Sequence, residues 1–197
     1  IDLRTDTKDT NQDYILHLDR RVTEAQCGES YDAGSGKTTI TLPYTIQSGV
    51  TMQAFTRGSG AITEITVSDA TAGGNTLKLT GNYSSEEYFI GESYTMTYTF
   101  PLSPMYDDDG ANLSGRTVYR VGVLDYEETR AFTVTVNNAQ GTTYSYEFSS
   151  DTPDEGQFRF PIRSRNKNAT ISITNATALP SKINAGEFEI EYENRAR

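Results

Sequence analysis

The sequence contains one cysteine, one histidine and no tryptophan among its 197 residues. Cys27 has no partner for an internal disulfide, which is compatible with assembly in a reducing cytoplasm, and the alternative is that it is an incidental small residue. His17 lies among apolar residues, so we interpret it as a packing or sheet-face residue rather than a general base. The sequence also has no Gly-x-Ser-x-Gly elbow, which argues against a Ser-His-Asp hydrolase.

Long apolar runs are missing as well. No stretch approaches the roughly 18 apolar residues that a membrane span needs, and nothing at the N-terminus resembles a signal peptide. We therefore expect a soluble protein without a membrane-spanning segment. Because the sequence begins with Ile1 rather than methionine, we also expect a domain of a longer protein or a processed product.

Basic residues are in deficit. The chain has 17 Lys and Arg against 27 Asp and Glu, which gives a net charge of -10. A surface that clamps phosphate backbones is basic, so we do not expect specific binding to nucleic acid. An acidic wall would instead repel a duplex and let it slide past, and solubility is the alternative explanation for these acids.

The dominant period of the sequence is two, and no window shows the apolar spacing of an amphipathic helix. Ile40 and Leu42 alternate with threonines. The same alternation recurs at 94–100, 132–136, 144–148, 158–162, 171–173 and 188–192. These half-buried strands, joined by turns rich in Gly and Asn, predict an all-β protein with antiparallel sandwich or meander architecture, built from two packed β lobes.

One long segment interrupts the strands. Residues 101–115 contain two prolines, three consecutive aspartates and two glycines. We predict an N-terminal β lobe at 1–100, a long loop at 101–115 and a C-terminal β lobe at 116–197. Loops of this length in a compact β protein often carry function.

Two segments look like ligand sites but fail on spacing. Residues 34–38 (Gly-Ser-Gly-Lys-Thr) resemble the end of a phosphate-binding loop, yet Tyr31 stands where that motif requires glycine, and a strand follows instead of a helix. We predict a hairpin turn there.

The aspartates at 107–109 would suit calcium, but Met105 and Arg116 occupy the first and last ligand positions of an EF-hand. A looser calcium loop and a solvated acidic turn both stay open.

Two carboxylate doublets are candidates for catalytic groups. Glu86 with Glu87 and Glu127 with Glu128 would have to divide acid and base duties. Adjacent residues of a strand point to opposite faces, so neither doublet is a natural pair. We therefore predict no catalytic residues, no cofactor-binding residues, no metal ligands and no enzymatic activity.

Basic residues are concentrated near residue 160. Arg159 and Arg163 lie on the polar side of a strand whose other side carries Phe158, Phe160 and Ile162. That polar side is either a solvated strand face or pairs with acidic loops of an adjacent subunit.

The last forty residues carry the most specific pattern. A Phe-Arg-Phe-Pro strand at 158–161 is followed by a Ser-Arg-Asn turn at 164–166, an alternating strand ending in Asn-Ala-Thr at 169–177, and Leu-Pro-Ser at 179–181. Residues 14–20, 39–44 and 88–100 agree in order and spacing. Together these segments resemble the tail tubular protein B, or nozzle protein, family of short-tailed bacteriophages. One departure is the strand at 185–192, which lacks the tryptophan usual in the family and leaves its packing open.

The resemblance implies a structural role rather than a reaction. Nozzle proteins form a hexameric ring at the distal end of the short tail, below the adaptor protein and beside the tail fibres, through which the genome leaves. The resemblance therefore implies three partners, which are copies of the chain itself, the adaptor and the fibres. It also implies that DNA passes through the channel without specific binding. The expected location is the virion tail, after assembly in the host bacterial cytoplasm, with the 101–115 loop touching a neighbouring subunit or projecting into the lumen.

Two other classes of function fit the composition. In a carbohydrate-binding β-sandwich, some of the 13 tyrosines would stack on sugar rings as a receptor or capsule recognition module. A depolymerase-like hydrolase would need a cleft with convergent carboxylates, which the sequence does not reveal.

Overall fold

The computed structural model describes residues 17–56, 63–102, 106–107, 110–111, 116–138, 140–166 and 169–193, with backbone alone at 106–107 and 110–111. These residues form fifteen strands and one short 3-10 helix, arranged as three antiparallel sheets and a two-stranded hairpin. The prediction of an all-β protein is confirmed. No helix in the described part of the chain is long and apolar enough to cross a membrane.

Within these ranges the chain divides into two compact units. The first unit contains residues 17–94 and 176–178, and the second contains 95–175 and 179–193. The lobe boundaries expected from the sequence, 1–100, 101–115 and 116–197, stay a prediction.

The first unit holds two four-stranded sheets, with strand orders β1-β8-β4-β5 and β2-β3-β7-β6. Its elements are β1 Leu18–Thr23, the 3-10 helix Glu24–Gln26, β2 Gly28–Asp32, β3 Lys37–Thr41, β4 Met52–Thr56, β5 Glu64–Ile65, β6 Val67–Ala70, β7 Thr76–Thr80 and β8 Tyr88–Ser93.

Each sheet of the first unit buries apolar residues that alternate with polar ones. Leu77 and Leu79 of β7 are buried, and the residues between and beside them are exposed. Strand β8 is buried along five consecutive residues, so both of its faces are covered. A Cβ atom at Gly91 would lie 2.7 Å from Leu18 Cβ and 2.8 Å from the Asp19 carbonyl oxygen. The close approach of β1 to β8 therefore requires glycine at this position.

The second unit holds a five-stranded sheet and a short hairpin. Its elements are β9 Met96–Phe100, β10 Tyr106–Asp107, β11 Gly110–Ala111, β12 Arg116–Asn137, β13 Thr143–Arg165, β14 Thr170–Asn175 and β15 Lys182–Glu193. The β10–β11 hairpin lies inside the segment expected to be a loop, and residues 103–105, 108–109 and 112–115 of that segment lie outside the described residues.

Strand β12 is the centre of the five-stranded sheet. It pairs with β13 along its length, and on its other side with β15 over residues 116–127 and with β14 over 133–137. Strand β9 then pairs with β14. Between the two halves the register on β13 skips from Ser149 to Asp154, and Glu128 of β12 takes a φ of 46°. Such an irregularity bends a two-stranded ribbon.

The bend brings the two halves of the β12–β13 ribbon against each other. Phe132, beyond the bend, stacks 5.0 Å from Phe148 and meets the edge of Phe158, on the near half, at 5.2 Å. Tyr126 lies 4.5 Å from Phe148, centroid to centroid. The second unit is thus a sandwich made by one bent hairpin, with β15 in one layer and β14 and β9 in the other.

Phe188 of β15 occupies a core position in the strand without tryptophan. Its ring makes edge contacts with Phe100 at 5.2 Å and Tyr119 at 5.7 Å. Nearby, Phe160 covers Gly122 so closely that a Cβ atom would lie 2.2 Å from the ring. A phenylalanine therefore suffices to pack this strand against the aromatic core.

Candidate interaction surfaces

Residues 33–36 form the turn of the β2–β3 hairpin, as predicted, and Lys37 and Thr38 begin β3. The Gly34 N–H donates to Asp32 Oδ1 at 2.9 Å, and the Gly36 N–H donates to the Asp32 carbonyl oxygen at 2.9 Å. The Ser35 hydroxyl donates to Asp32 Oδ2 at 2.7 Å. The hydrogen bonds from Ser35 and Gly34 hold the pKa of Asp32 below its ordinary value. These donors stabilise the turn itself instead of surrounding a phosphate.

His17 is buried inside the first unit. The residue is 3% exposed, and its ring stacks on that of Tyr94 with the centroids 6.1 Å apart. Its backbone N–H donates to the Ala178 carbonyl oxygen at 2.8 Å. This environment fits the packing role expected for it.

The carboxylate doublets show no feature of a general acid. Glu86 and Glu87 are exposed. Glu127 accepts a hydrogen bond from Asn184 at 3.2 Å and lies 3.2 Å from Lys182 Nζ. These two interactions, with Asn184 first, lower the pKa of Glu127, whereas a general acid needs a raised pKa.

Among the residues that the structure describes, no group of three or more His, Cys, Asp or Glu side chains is placed to hold a metal ion. Asp108 and Asp109 lie outside the described residues, so the calcium question raised by the 107–109 cluster stays open.

An open cleft of about 420 Å³ lies in the first unit beside residues 42–45 and 73–75. Its wall includes Tyr44, whose ring is covered by the Arg20 guanidinium at 3.9 Å. Arg20 also donates to Glu92 Oε1 at 3.0 Å and to the Thr45 carbonyl oxygen at 3.1 Å. Burial, then the Glu92 carboxylate, raises the pKa of Tyr44 to about 12. Arg20 thus occupies a ring face that a sugar would need for stacking.

The most exposed tyrosines do not form a shared platform on any one element. Tyr31 lies on β2, Tyr94 follows β8, and Tyr144 begins β13. They are 37%, 45% and 46% exposed. A glycan site usually combines aromatic faces with convergent polar groups, whereas these three rings come from three different parts of the chain. Nothing in this geometry favours the carbohydrate-binding alternative.

The outer face of the β15–β12–β13 layer is charged, and we call it the charged face. It is formed by side chains that alternate with the core residues of each strand. Its members are Glu187, Glu189, Glu191 and Glu193 on β15, Arg116 and Arg120 on β12, and Arg159, Arg163 and Arg165 on β13.

The register of the three strands places the negative charges at one edge of the layer and most of the positive charges at the other. Glu187, Val123 and Arg159 lie opposite one another across the three strands, and Glu191, Val118 and Arg165 do the same. Valines therefore separate an acidic column on β15 from a basic column on β13. Within the described residues, β15 and β13 each pair only with β12, so both columns lie on edge strands of this layer.

Ion pairs cross the charged face. Arg159 lies 3.3 Å from Glu189, Arg116 lies 3.8 Å from Glu193, and Arg120 contacts Glu191. All of these side chains are at least 40% exposed. Exposed pairs of this kind stabilise a fold by only about 0–1 kcal/mol each. Their importance is therefore not in the stability of the isolated chain.

The sequence predicted the basic half of this face but missed the acidic half. Arg159 and Arg163 do lie on the polar side of a strand whose other side faces the core. The sequence left two alternatives for this face, a solvated surface or pairing with acidic loops of an adjacent subunit, and the structure places glutamates on β15 of the same chain. The alternation of Glu with Phe188, Ile190 and Tyr192 was a usable signal, but only strand pairing shows that β15 and β13 flank the same strand.

Comparison with known proteins identifies one family. A family model described as bacteriophage nozzle protein matches residues 1–197. The comparison with curated proteins finds no match. Two solved structures from Listeria monocytogenes are similar over 85% of the chain but only 20% of their own length. An uncharacterised protein is 10% identical with a TM-score of 0.24, and a cycloalternan-forming enzyme is 12% identical with a TM-score of 0.21. Scores this low carry no argument about function.

Proposed function

The chain belongs to the bacteriophage nozzle protein family, and on that premise we propose that it is part of the hexameric nozzle of a short tail, the tail tubular protein B of such phages. Because a nozzle protein is a structural component of the virion tail, membership of the family gives the chain that role. The proposal adds that the ring forms the distal DNA-exit channel, contacts the adaptor and the tail fibres, and assembles in the host cytoplasm.

The match over residues 1–197 is the observation that carries this proposal. The fold supports it, because the second unit is built on strands of 22 and 23 residues that pair across the bend. A ring that holds pressurised DNA needs elements that resist local opening, and long ladders of backbone hydrogen bonds provide such elements.

The charge of the chain supports passage of DNA without binding. With a net charge of -10, the chain repels a duplex at long range. Three of the five arginines of the charged face, Arg116, Arg120 and Arg159, are ion-paired with glutamates of β15, so little positive charge remains for a phosphate backbone. We therefore expect no measurable affinity for duplex DNA at physiological salt.

The proposal is tested on the full-length parent protein, alone and mixed with its tail adaptor, by negative-stain electron microscopy. We expect a six-fold ring with a central hole that docks on the adaptor. The matched control is the adaptor mixed with an unrelated β-sandwich protein, which should leave the adaptor bare. A parent protein that stays monomeric and ignores the adaptor would contradict the proposal.

A further inference from the structure

The charged face places opposite charges on the two open edges of one sheet layer. Strand β15 carries four glutamates in an alternating column, and β13 carries Arg159, Arg163 and Arg165. Some of these charges satisfy one another inside the chain. Within the part of the chain that the structure describes, however, Arg163, Arg165 and Glu187 have no ion-pair partner. Over residues 159–165 of β13 and 187–193 of β15, each edge therefore retains unpaired charge of a single sign, and the acidic residues of β13 lie outside this stretch, at 147–155.

This arrangement discriminates between the two ways in which copies of the chain can meet. In a two-fold contact the same edge meets itself, so β15 would set Glu against Glu and β13 would set Arg against Arg. Like charges placed directly opposite one another across strands are destabilising. In a head-to-tail contact, the acidic edge of one copy meets the basic edge of the next, and the charges attract.

We propose that the β15 edge of one chain binds the β13 edge of the next copy in a head-to-tail contact. The partner is a second copy of the chain because the two edges are complementary in charge. The glutamates of β15 in one copy can pair with the arginines of β13 in the next copy. Ile190, which is 38% exposed on β15, adds apolar surface at the acidic edge. Head-to-tail contacts generate rings when the rotation closes. The proposal rests on the proposed function and names the surfaces that would join its subunits.

Charge columns on edge strands have a simpler use, which is to prevent edge-to-edge aggregation. That use predicts that removing the charges leaves a monomer unchanged or makes it aggregate. Our proposal predicts instead that the charges are needed for association. Two double charge reversals separate these explanations.

The acidic variant is Arg163→Glu with Arg165→Glu, and the basic variant is Glu187→Lys with Glu189→Lys. The acidic variant has two acidic edges and the basic variant has two basic edges, so neither should associate with itself. When the two are mixed, every head-to-tail contact again joins opposite charges, and association should return with alternating subunits. Restoration by mixing cannot result from damage to the fold.

Association is measured by sedimentation velocity of the 197-residue chain over a concentration series at moderate salt. We expect the Kd for self-association to rise at least about tenfold in each variant, because like-charge contacts across an interface are strongly unfavourable, and to return near the wild-type value in the mixture. We expect the wild-type Kd to rise at high salt, where the attraction between the edges is screened. Matched controls carry the same change of charge elsewhere. They are Lys37→Glu with Lys78→Glu, and Glu86→Lys with Glu87→Lys, and both should associate like wild type.

Three results would overturn the proposal. They are a wild-type chain that stays monomeric throughout the concentration series, edge variants that associate like their controls, and a mixture that does not recover. Circular dichroism confirms folding of each variant, and Arg163→Gln with Arg165→Gln gives a milder version of the same test. Repeating the acidic variant in the full-length parent keeps the two proposals distinguishable. A ring that still forms in this variant would contradict only the edge contact, whereas a wild-type parent without any ring would contradict the proposed function.

Discussion

Thr129 joins three strands at the bend of the β12–β13 ribbon, and its hydroxyl offers a sharp test of how the second unit is held. The residue is 0% exposed. Its Oγ1 accepts the Lys182 N–H at 2.8 Å and lies 2.9 Å from the Glu127 carbonyl oxygen and 3.0 Å from that of Lys182, to one of which it donates. It therefore fixes the start of β15 to the bend of β12.

Replacing Thr129 with valine keeps the shape and removes the hydroxyl. The Lys182 N–H and one carbonyl oxygen then lose their partner inside the protein. An orphaned buried polar group costs about 1–3 kcal/mol, and the added methyl group returns up to about 0.8 kcal/mol through burial. We expect Thr129→Val to reduce the free energy of unfolding by about 2–3 kcal/mol.

The measurement is urea unfolding followed by far-UV circular dichroism, since the chain has no tryptophan for fluorescence. Thr133→Val is the matched control, because Thr133 lies on the same strand, is half-buried, and its side chain makes no hydrogen bond to the described residues. The control should change stability by no more than about 0.5 kcal/mol. Amide exchange at Lys182 should accelerate in the Thr129 variant alone. If both valine variants were equally stable, the hydroxyl would not hold the bend.

Three further predictions concern the first unit. Gly91→Ala should destabilise by about 3 kcal/mol because the new Cβ would lie 2.7 Å from Leu18 Cβ, whereas Gly28→Ala, whose Cβ would meet Thr41 at an ordinary 3.4 Å, should change the urea midpoint little. Glu92→Gln should cost about 1–2 kcal/mol in the same assay, because it leaves the partly exposed Arg20 guanidinium without its carboxylate; an unchanged midpoint would contradict this role. Burial, then the Glu24 and Glu29 carboxylates, raises the pKa of Cys27 to about 11. Its thiol should react with Ellman's reagent at pH 8 at least about tenfold more slowly than free cysteine, with the rate rising steeply towards pH 10, and a pH-independent rate would refute it.

Alternation predicted most strands but could not predict how they are joined. Tyr144–Phe148 and Phe158–Ile162 read as two strands because the residues between them include Pro153 and Gly156, which signal a turn. In the structure both belong to β13, which tolerates Pro153 because residues 150–153 fall in the register shift and pair with no residue of β12. Period two reports which side of a strand is buried, whereas a bend depends on contacts between residues far apart in sequence.

The same limit applies to the charged face. Each strand shows its own alternating charges in the sequence, but the separation of the two signs arises from the pairing of β15 and β13 on opposite sides of β12. That pairing brings residues near 160 and 190 to the same strand near 120. A local pattern does not contain this information, so the sequence could not predict that the glutamates of β15 share a face with the arginines of β13.

The composition of the charged face explains how subunits with a net charge of -10 could still associate. Subunits with this charge repel one another, yet a ring must bring them into contact. Because the face carries five arginines and four glutamates, the acidic excess lies on the rest of the chain. Salt screens that distant charge beyond about 8–10 Å at physiological strength, so at contact the local pattern decides. Association should therefore be strongest at intermediate salt, where repulsion between whole chains is screened and attraction between the edges persists.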